Sequence, residues 1–330
     1  MDRNIALEFV RVTEAAAMSS SHWIGRGDRN AADKAATESM RTRLNEIDFS
    51  GKIVIGEGER DEAPMLYIGE KVGNGNGKTY DIAVDPLEGT NLVAKGWANA
   101  ISVLAASLEG NLLHAPDAYM DKIACGPEAK GKVSLDYEPE ENIRIVAETL
   151  GKKQDEITVA MMDRDRHLEL MKRVRKTGAM IRLITDGDLS AAVSTCTPEA
   201  DIDLLLGIGG APEGVISAAA LKCLGGGFEG RLIFKDETMT KMNQEQLERA
   251  KKMGIEHGKK LKIEEMAKGD VVVCATGITS GYLLRGVRFT RKHIYTHSIA
   301  MNSKSKTVRF IEALHDEQMQ RRFLKGGNVK

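Results

Sequence analysis

Apolar residues near the start of the chain recur at the spacing of one helix face. The positions concerned are Ile5, Phe9, Val12 and Ala16. This periodicity predicts an amphipathic helix over residues 3–20. After a glycine-rich loop, a second mixed pattern of polar and apolar residues predicts another helix over residues 30–44.

Short apolar runs bounded by glycine, proline or polar residues predict strands in the rest of the first half. The runs at 52–56 and 80–85 predict single strands, and those at 100–108 and 112–116 predict a hairpin. The first half of the chain therefore has the pattern of a mixed α+β region, which we place at residues 1–150.

From about residue 155, strand and helix patterns alternate. The predicted strands at 157–162, 180–185 and 202–208 are each followed by a predicted helix, at 167–177, 189–195 and 213–224. Such alternation indicates parallel strands joined by crossover helices. A further helix is predicted at 244–253, and further strands at 271–275, 293–300 and 306–313. We therefore predict an α/β fold with two domains, the α+β region at 1–150 and an α/β region at 151–330. A chain of 330 residues also exceeds the size at which a single core usually stops growing.

The composition is that of a globular protein with nearly balanced charge. Lys and Arg number 47 and Asp and Glu number 48, so the chain lacks the positive field of a nucleic-acid-binding protein. No run approaches the roughly 20 apolar residues of a membrane-spanning helix, and the first residues have no signal-peptide pattern. The four cysteines form no CxxC pair, which favours reduced thiols. We expect a cytoplasmic protein with no membrane or nucleic-acid partner.

The most informative motif is Asp85-Pro86-Leu87-Glu88-Gly89-Thr90, which follows a predicted strand. The carboxylates of Asp85 and Glu88 and the hydroxyl of Thr90 suit a hard cation beside a phosphate. Gly89 lets a ligand approach the backbone closely. The alternative is an ordinary acidic turn that caps a helix beginning at Asn91.

Three further acidic residues follow predicted strands or lie early in predicted helices. Glu57 lies between glycines after a strand, Asp33 lies in the second helix, and Glu213 lies at a strand-to-helix junction. Each alone has a simpler alternative: a solvated turn, an exposed helix residue or a helix-capping acid. Together they lie where α/β enzymes place their sites, and ligand sets made of oxygen alone are preferred by Mg²⁺ and Mn²⁺.

The second half offers groups suited to a phosphate and to sugar hydroxyls. Arg164 and Arg166 alternate, so an extended backbone would place both on one face, and guanidinium forks suit phosphate oxygens. Asp186 and Asp188 flank a glycine at a strand end, where they would accept hydrogen bonds from hydroxyl groups. The alternatives are a self-neutralising turn at 163–166 and a helix cap at Asp188.

Several separated blocks of sequence resemble a known family. The strand and turn at 81–90 are similar to the strand-DPLEGT type motif of the lithium-sensitive sugar and inositol phosphatases. The other matching blocks are GRGD at 25–28 with Asp33, VIGEGERDEAPML at 54–66, HAPDAYMDK at 114–122, DGD at 186–188 and GIGGAPEGVISAA at 207–219. Together they resemble the class II, GlpX-type fructose-1,6-bisphosphatases of bacteria over about residues 5–280.

The resemblance implies a layered αβαβα sugar-phosphatase fold and a role for each matching residue. The implied metal ligands are Asp33, Glu57, Asp85, Glu88 and Glu213. The implied catalytic residues are Thr90, Asp33, Glu57 and Asp85, with the Thr90 hydroxyl orienting the attacking water. The implied substrate-binding residues are Glu88, Gly89, Thr90, Tyr119, Arg164, Asp165, Arg166, Asp186, Gly187, Asp188 and Gly210. Glu59 and Asp61 would tune the ligands. The chain departs from the family at Arg29, where lysine is common, so its role toward phosphate stays open.

The implied activity is hydrolysis of the 1-phosphate of fructose 1,6-bisphosphate, which yields fructose 6-phosphate and phosphate in gluconeogenesis. The implied cofactor is Mn²⁺ or Mg²⁺, which would activate the attacking water and neutralise charge on the phosphoryl group. The expected partners are a small sugar bisphosphate and further copies of the chain, in a homo-oligomer whose size the sequence does not define.

Two other kinds of function compete with this interpretation. One is hydrolysis of sedoheptulose 1,7-bisphosphate or an inositol phosphate. The other is non-catalytic binding of a nucleotide or a metal. The glycine-rich run at 73–79 resembles a P-loop but lacks the required glycine at position 72, and the run at 207–209 fails the dinucleotide pattern because position 212 is proline.

Overall fold

A computed structural model describes residues 5–58, 65–197, 200–235, 239, 241–252, 255–256 and 258–316. Up to Leu108 the elements are α1 (Ile5–Ser21), α2 (Arg29–Asn45), β1 (Ser50–Ile55), β2 (Lys71–Val72), β3 (Thr79–Glu88), α3 (Thr90–Lys95) and β4 (Ile101–Leu108). Next come β5 (Tyr119–Cys125), α4 (Pro139–Leu150), β6 (Thr158–Met162), α5 (Leu168–Lys176), β7 (Met180–Ile184), α6 (Leu189–Ser194), β8 (Leu204–Gly210), α7 (Ala211–Leu224), β9 (Gly227–Ile233), α8 (Gln244–Lys252), β10 (Lys260–Lys262) and α9 (Ile263–Met266). The last are β11 (Val271–Gly277), β12 (Arg288–Phe289), β13 (His293–Asn302) and β14 (Thr307–Asp316).

The chain forms two compact units whose boundaries differ from the predicted division near residue 150. One unit comprises the residues up to Leu108 together with those from Val272 onward, and the other comprises Glu109–Val271. The physical reason is strand pairing: β11 lies beside β4, and β13 lies beside β11, so the chain returns to its first sheet. Local periodicity reports a strand but not which sheet it joins.

The first unit is a mixed eight-stranded sheet covered by helices. The strand order is β12-β13-β11-β4-β3-β1-β2, and β14 pairs with β13. The apolar stripe predicted for α1 is buried, with Phe9 and Val12 inaccessible to solvent in one core with Met40 and Leu44 of α2. Burial of each such large side chain contributes about 1.5–3 kcal/mol relative to exposure.

The second unit is a six-stranded sheet in the order β10-β9-β5-β8-β6-β7. β6 runs parallel to both β7 and β8, whereas β5 is antiparallel to β8 and β9. The helices α4 and α5 bury Ile143, Val146 and Val174 in the core of this unit. The predicted alternation of strands and helices after residue 155 is thus confirmed, and the fold is α/β as predicted.

The predicted hairpin is wrong. β4 forms as expected, but it pairs with β3 and β11, and within the described residues the segment 112–116 forms only a single bridge, between Leu112 and Ala267. The sequence analysis also missed β5, α4 and β9. No helix in the described part of the chain combines the length and the apolar character needed to cross a bilayer.

Candidate active site

The DPLEGT motif lies where β3 ends, and β3 has one extra residue there. Asp85 opposes Val103 of β4. Three residues further on, Glu88 opposes Ile101, which is only two residues from Val103. This is a β-bulge, and Pro86 lies within it, where its missing amide hydrogen costs no ladder bond. Because Val103 and Ile101 point to the same side of β4, the bulge brings Asp85 and Glu88 onto one face of the sheet, which an unbroken strand would not do.

The turn withdraws both carboxylates from solvent to different degrees. Glu88 is only 2% exposed, and Asp85 is half-buried. The Asp85 Oδ1 atom accepts a hydrogen bond of 3.1 Å from the amide of Leu87, which holds the turn closed. Gly89 has a φ of +93°, which glycine adopts without steric cost. This conformation allows α3 to begin at Thr90, whose side chain is half-buried.

Asp33 of α2 and Glu57, which follows β1, form a hydrogen-bonded pair of carboxyl groups. Burial, followed by the negative charge of Asp33, raises the pKa of Glu57 to about 8, and a hydrogen bond from Thr37 only partly offsets this. Burial also raises the pKa of Asp33. Glu57 is therefore protonated at neutral pH and donates to Asp33. Two carboxyl groups in contact require a proton or a cation between them.

These residues come from neighbouring elements of the first unit. β1 and β3 run parallel, so Glu57 beyond β1 and Asp85 near the end of β3 lie at the same edge of the sheet. Asp33 is brought to that edge through its contact with Glu57. The structure thus forms two pairs, one at Asp33 and Glu57 and one on the bulge. Among the described residues, no three acidic, histidine or cysteine side chains are gathered closely enough to hold one ion.

In the second unit, three parallel strands end beside the segments predicted to bind substrate. The segment 163–167 follows β6, the segment 185–188 follows β7, and the segment 211–213 follows β8. From β6 the chain passes through α5 to β7 on one side, and then through α6 to β8 on the other side of β6. A chain that switches sides in this way leaves a crevice between the strand ends, where α/β proteins bind ligands.

The predicted extended face for Arg164 and Arg166 is wrong. Arg164 is extended, with φ −139° and ψ 148°, but Asp165–His167 form a 3₁₀ turn. A 3₁₀ turn has about three residues per turn, so the period of two that would align both side chains is lost. Arg164 instead lies near Asp186, with 3.7 Å between Nη2 and Oδ1.

Arg166 is fixed by the backbone of β8 and by an aromatic ring. Its Nε and Nη2 atoms donate to the carbonyl oxygen of Ile208 at 3.2 and 2.8 Å. Its guanidinium carbon lies 5.0 Å from the centre of the Tyr119 ring, within the range of a cation–π contact. Asp165 is exposed. Gly187 has a φ of +66° between the two aspartates.

Asp188 forms a buried ion pair with Lys122 of β5. The Lys122 Nζ atom lies 2.8 and 2.7 Å from the two carboxylate oxygens, and the two side chains are 0% and 8% exposed. Asp188 precedes α6, but its side chain makes no capping hydrogen bond, so the alternative of a helix cap is wrong. Room for the carboxylate comes from Gly209 of β8, where a Cβ atom would lie 2.0 Å from Asp188 Oδ2.

Glu213 lies in the first turn of α7, and its carboxylate folds back over Gly210. A Cβ atom at Gly210 would lie 1.9 Å from Glu213 Oε2. The Oε2 atom is buried and has no hydrogen-bond partner among the described residues. Burial raises the pKa of Glu213, the charge of Lys122 lowers it, and the charge of Asp188 raises it. A buried acceptor without a partner costs about 1–3 kcal/mol, a cost that coordination of a cation would remove.

Lys122 and His167 were not identified as site residues from the sequence. Lys122 closes the HAPDAYMDK block at 114–122, but nothing in its neighbourhood indicates a buried ammonium group. His167 is 1% exposed and has no sequence signal beyond following Arg166. The sequence marks these two side chains indirectly, through the glycines at 207 and 209. A Cβ atom at Gly207 would lie 2.9 Å from the His167 ring.

For three of the residues named in the sequence analysis, we describe no contact with the site. Glu59 and Asp61 lie outside the described residues. Arg29 is the first residue of α2 and is exposed. The N-terminus of this helix is capped by Asp28, whose side chain accepts a hydrogen bond of 2.9 Å from the amide of Ala31.

Comparison with known proteins agrees with the predicted family. The model of the bacterial, glpX-encoded fructose-1,6-bisphosphatase matches residues 3–315. A Synechococcus sp. (strain JA-3-3Ab) protein named D-fructose 1,6-bisphosphatase class 2/sedoheptulose 1,7-bisphosphatase is 49% identical over 96% of each chain. An Escherichia coli (strain K12) protein named fructose-1,6-bisphosphatase 1 class 2 is 46% identical over 97% of this chain and 99% of its own. Among solved structures, an extragenic suppressor from Pyrococcus furiosus covers 57% of this chain and 68% of its own at 15% identity, and its TM-score of 0.29 is too low to bear on the fold.

The α/β fold has carboxylate pairs at one sheet edge and arginines at another, an arrangement that suits a phosphatase. The relatives are named as phosphatases. The chain belongs to the glpX-encoded bacterial fructose-1,6-bisphosphatase family, which its family model matches over nearly the whole length. This family is one of metal-dependent phosphatases. The family predicted from the sequence is therefore confirmed.

Proposed function

We propose that this protein hydrolyses the 1-phosphate of fructose 1,6-bisphosphate to give fructose 6-phosphate and phosphate, as a step of gluconeogenesis. The observation that supports this most is the bulge of β3, which turns Asp85 and Glu88 onto one face at the sheet edge where Asp33 and Glu57 share a proton. Acidic groups are crowded in this way where a cation is to be held. The printed names of relatives at 46–49% identity support the sugar bisphosphate as substrate.

The carboxylates fit a divalent metal ion. Glu57 keeps its proton because it is buried and lies against the negative charge of Asp33, and Glu213 Oε2 is a buried acceptor without a hydrogen-bond partner among the described residues. A bound cation would stabilise both of these carboxyl groups. Ligand sets made of oxygen alone suit Mn²⁺ or Mg²⁺. We therefore propose the metal ligands Asp33, Glu57, Asp85 and Glu88 in the first unit and Glu213 in the second. Divalent cations held by these residues would supply Lewis acidity toward the phosphoryl group and the attacking water.

The other residues of the first unit would prepare the nucleophile. Asp33 and Glu57 would hold a cation as two charged carboxylates once Glu57 has given its proton to solvent. The hydroxyl of Thr90, fixed at the start of α3, would orient the attacking water by a hydrogen bond. Gly89 leaves the backbone at the turn open to close approach by a phosphate oxygen. No serine or cysteine nucleophile is required in this scheme.

The second unit would bind the sugar and its other phosphate. The forks of Arg164 and Arg166 would pair with phosphate oxygens, with Tyr119 holding the guanidinium of Arg166 in place. The carboxylates of Asp186 and Asp188 would accept hydrogen bonds from sugar hydroxyls, and the backbone amide of Gly187 would donate one. Asp165 and Gly210 complete the set that we assign to the substrate. Binding energy from this remote phosphate would be used to place the reacting one.

A release assay tests the proposal. Inorganic phosphate would be measured from fructose 1,6-bisphosphate, sedoheptulose 1,7-bisphosphate, fructose 1-phosphate and an inositol monophosphate, each with Mn²⁺, with Mg²⁺ and with chelator. We expect the highest kcat/KM with fructose 1,6-bisphosphate and none in chelator. Equal rates with the inositol phosphate, or rates unaffected by chelator, would contradict the proposal.

One second activity has specific support. The Synechococcus relative is named for sedoheptulose 1,7-bisphosphate as well as the fructose ester. We propose hydrolysis of the sedoheptulose ester as the alternative or additional activity, and the same substrate panel measures it.

The setting of the enzyme is also a proposal. The four cysteines, all of them described residues, form no disulfide with one another, which suits the reducing cytoplasm. We propose a homo-oligomer, because the edge strand β14 exposes Phe310 and Leu314 to 54% and 56%, an apolar surface that a second copy would cover. Equilibrium sedimentation would measure the number of copies.

A further inference from the structure

Within the described residues, the strands β6 and β8 pair only at their beginnings. Val159 opposes Leu204 and Ala160 opposes Leu205, and the pairing of the two strands ends there. Further along β8, the peptide groups of Ile208 are bonded by side chains from the segment that follows β6. The amide of Ile208 donates to His167 Nε2 at 2.7 Å. The carbonyl of Ile208 accepts from Arg166 Nε and Nη2 at 3.2 and 2.8 Å.

The ring of His167 is held in a single protonation pattern. Its Nδ1 atom lies 2.8 Å from the carbonyl oxygen of Met162 at the end of β6. A carbonyl oxygen only accepts, so Nδ1 has the proton, and Nε2 is left as the acceptor for the Ile208 amide. The residue is 1% exposed, and burial lowers the pKa of its imidazole. His167 therefore links the end of β6 to β8 as a neutral bridge.

The fit of this bridge depends on the glycine before Ile208. At Gly207 a Cβ atom would lie 2.9 Å from His167 Nε2, and its φ is +131°. The backbone of β8 is thus shaped to receive the imidazole edge. The adjacent residues Arg166 and His167 bond to the carbonyl and the amide of Ile208, respectively. A change in one of these hydrogen bonds is therefore transmitted to the other.

We propose that His167 is a positioning residue, which fixes the phosphate-binding guanidinium of Arg166 by holding the backbone of Ile208. The inference rests on the proposed function, because Arg166 is assigned there to the second phosphate. When the Ile208 amide is bonded to His167, the Ile208 carbonyl points to Arg166 and accepts hydrogen bonds from its Nε and Nη2 atoms. The face of the guanidinium lies over Tyr119, and Nη1 is the group that would reach the phosphate. Without His167, the Ile208 peptide would turn and the guanidinium would lose its anchor.

The test compares His167→Asn with His167→Gln. Asparagine retains a donor near the Nδ1 position for the Met162 carbonyl but offers no acceptor to Ile208. Glutamine reaches the Nε2 position and restores that acceptor. We expect His167→Asn to raise the KM for fructose 1,6-bisphosphate about tenfold, the effect of about one hydrogen bond, with kcat within about twofold of the wild type. We expect His167→Gln to recover most of the KM.

Two readouts separate positioning from a general loss of structure. The kcat/KM for fructose 1-phosphate, which lacks the second phosphate, should be unchanged in His167→Asn. In a double-mutant cycle, Arg166→Lys combined with His167→Asn should cost less than the sum of the two single effects, because both act on one contact. The matched control is His315→Asn, since His315 is a half-buried histidine, bonded to Thr296 in the first unit. It should leave both KM values unchanged.

Calorimetric titration of metal-free protein with fructose 1,6-bisphosphate makes the inference testable without turnover. Weaker binding by His167→Asn than by the wild type supports it. Equal losses of kcat/KM for fructose 1,6-bisphosphate and fructose 1-phosphate, or an unchanged affinity in calorimetry, would overturn it. If the wild type releases no phosphate from any ester, the proposed function fails, and the calorimetric comparison alone decides the role of His167.

Discussion

Lys122 and Asp188 form a two-pronged ion pair in the interior of the second unit, with Nζ 2.8 and 2.7 Å from the two carboxylate oxygens. The ammonium group also lowers the pKa of Glu213, which Asp188 and burial raise. One positive charge therefore faces two carboxylates. Lys122 is hydrogen-bonded to both oxygens of Asp188, and Glu213 is left to a proton or to a cation.

This relationship predicts a large loss of stability in Lys122→Met. Removing one member of a buried pair leaves the other charge uncompensated, which costs about 3–5 kcal/mol. The free energy of unfolding in urea would measure the loss. In the double variant Lys122→Met/Asp188→Asn the charge is gone, so most of the stability should return. A double variant as unstable as the single one would show that the lysine acts by packing rather than by charge.

The carboxyl pair predicts that metal-free protein loses stability as the pH rises. The pKa of Glu57 is raised from 4.5 to about 8, so between these values the native state binds one proton more than the unfolded chain. The free energy of unfolding should then fall with increasing pH, by at most about 1.4 kcal/mol per pH unit. Melting temperatures in chelator at several pH values would show this.

The control for this pH dependence is a pair of glutamine variants. Glu57→Gln has no proton to lose and should flatten the slope. Glu38→Gln, on an exposed residue of the same helix as Asp33, should leave the slope as it is. A slope that persists in Glu57→Gln would assign the effect to another group.

Cation binding should release a proton. At pH 7 Glu57 holds the proton that it shares with Asp33, and a cation can bind both carboxylates only after the proton leaves. Titration of the metal-free protein with Mn²⁺ in buffers of different ionisation enthalpy should report about one proton released per cation. Release of no proton would place the cation away from Glu57.

Asp85→Asn should nearly abolish turnover. The substitution keeps the size of the side chain but removes one negative charge from the face that it shares with Glu88. We expect kcat to fall by about a thousandfold or more, which corresponds to about 4 kcal/mol of transition-state stabilisation. Asp81→Asn is the control, on the same strand and before the bulge. Near-normal kcat in Asp85→Asn would remove this residue from the metal site.

Sequence reasoning selected DPLEGT as a candidate metal site but did not predict the β-bulge within it. Two carboxylates three residues apart on a strand would normally point to opposite faces. The bulge that places Asp85 and Glu88 on one face depends on pairing with Val103 and Ile101, and a pattern within a single segment does not report such pairing.

The same limit explains the misplaced domain boundary and the missed elements. That β11 joins β4 is a contact across the whole second unit, so no local signal marks it. β5 escaped notice because Lys122 interrupts its apolar run, although the lysine is fully buried. A buried charge is recognisable only when its partner, here Asp188, is known to lie beside it.

The glycines of β8 make one of these contacts legible in advance. Gly209 lies so close to Asp188 that no side chain fits at position 209. The residue type at position 209 therefore limits which residue fits at position 188. A relative with alanine or anything larger at 209 should have abandoned the aspartate at 188, along with its partner lysine. Comparing positions 188 and 209 in a set of relatives would then separate proteins that share this buried ion pair from those that lack it.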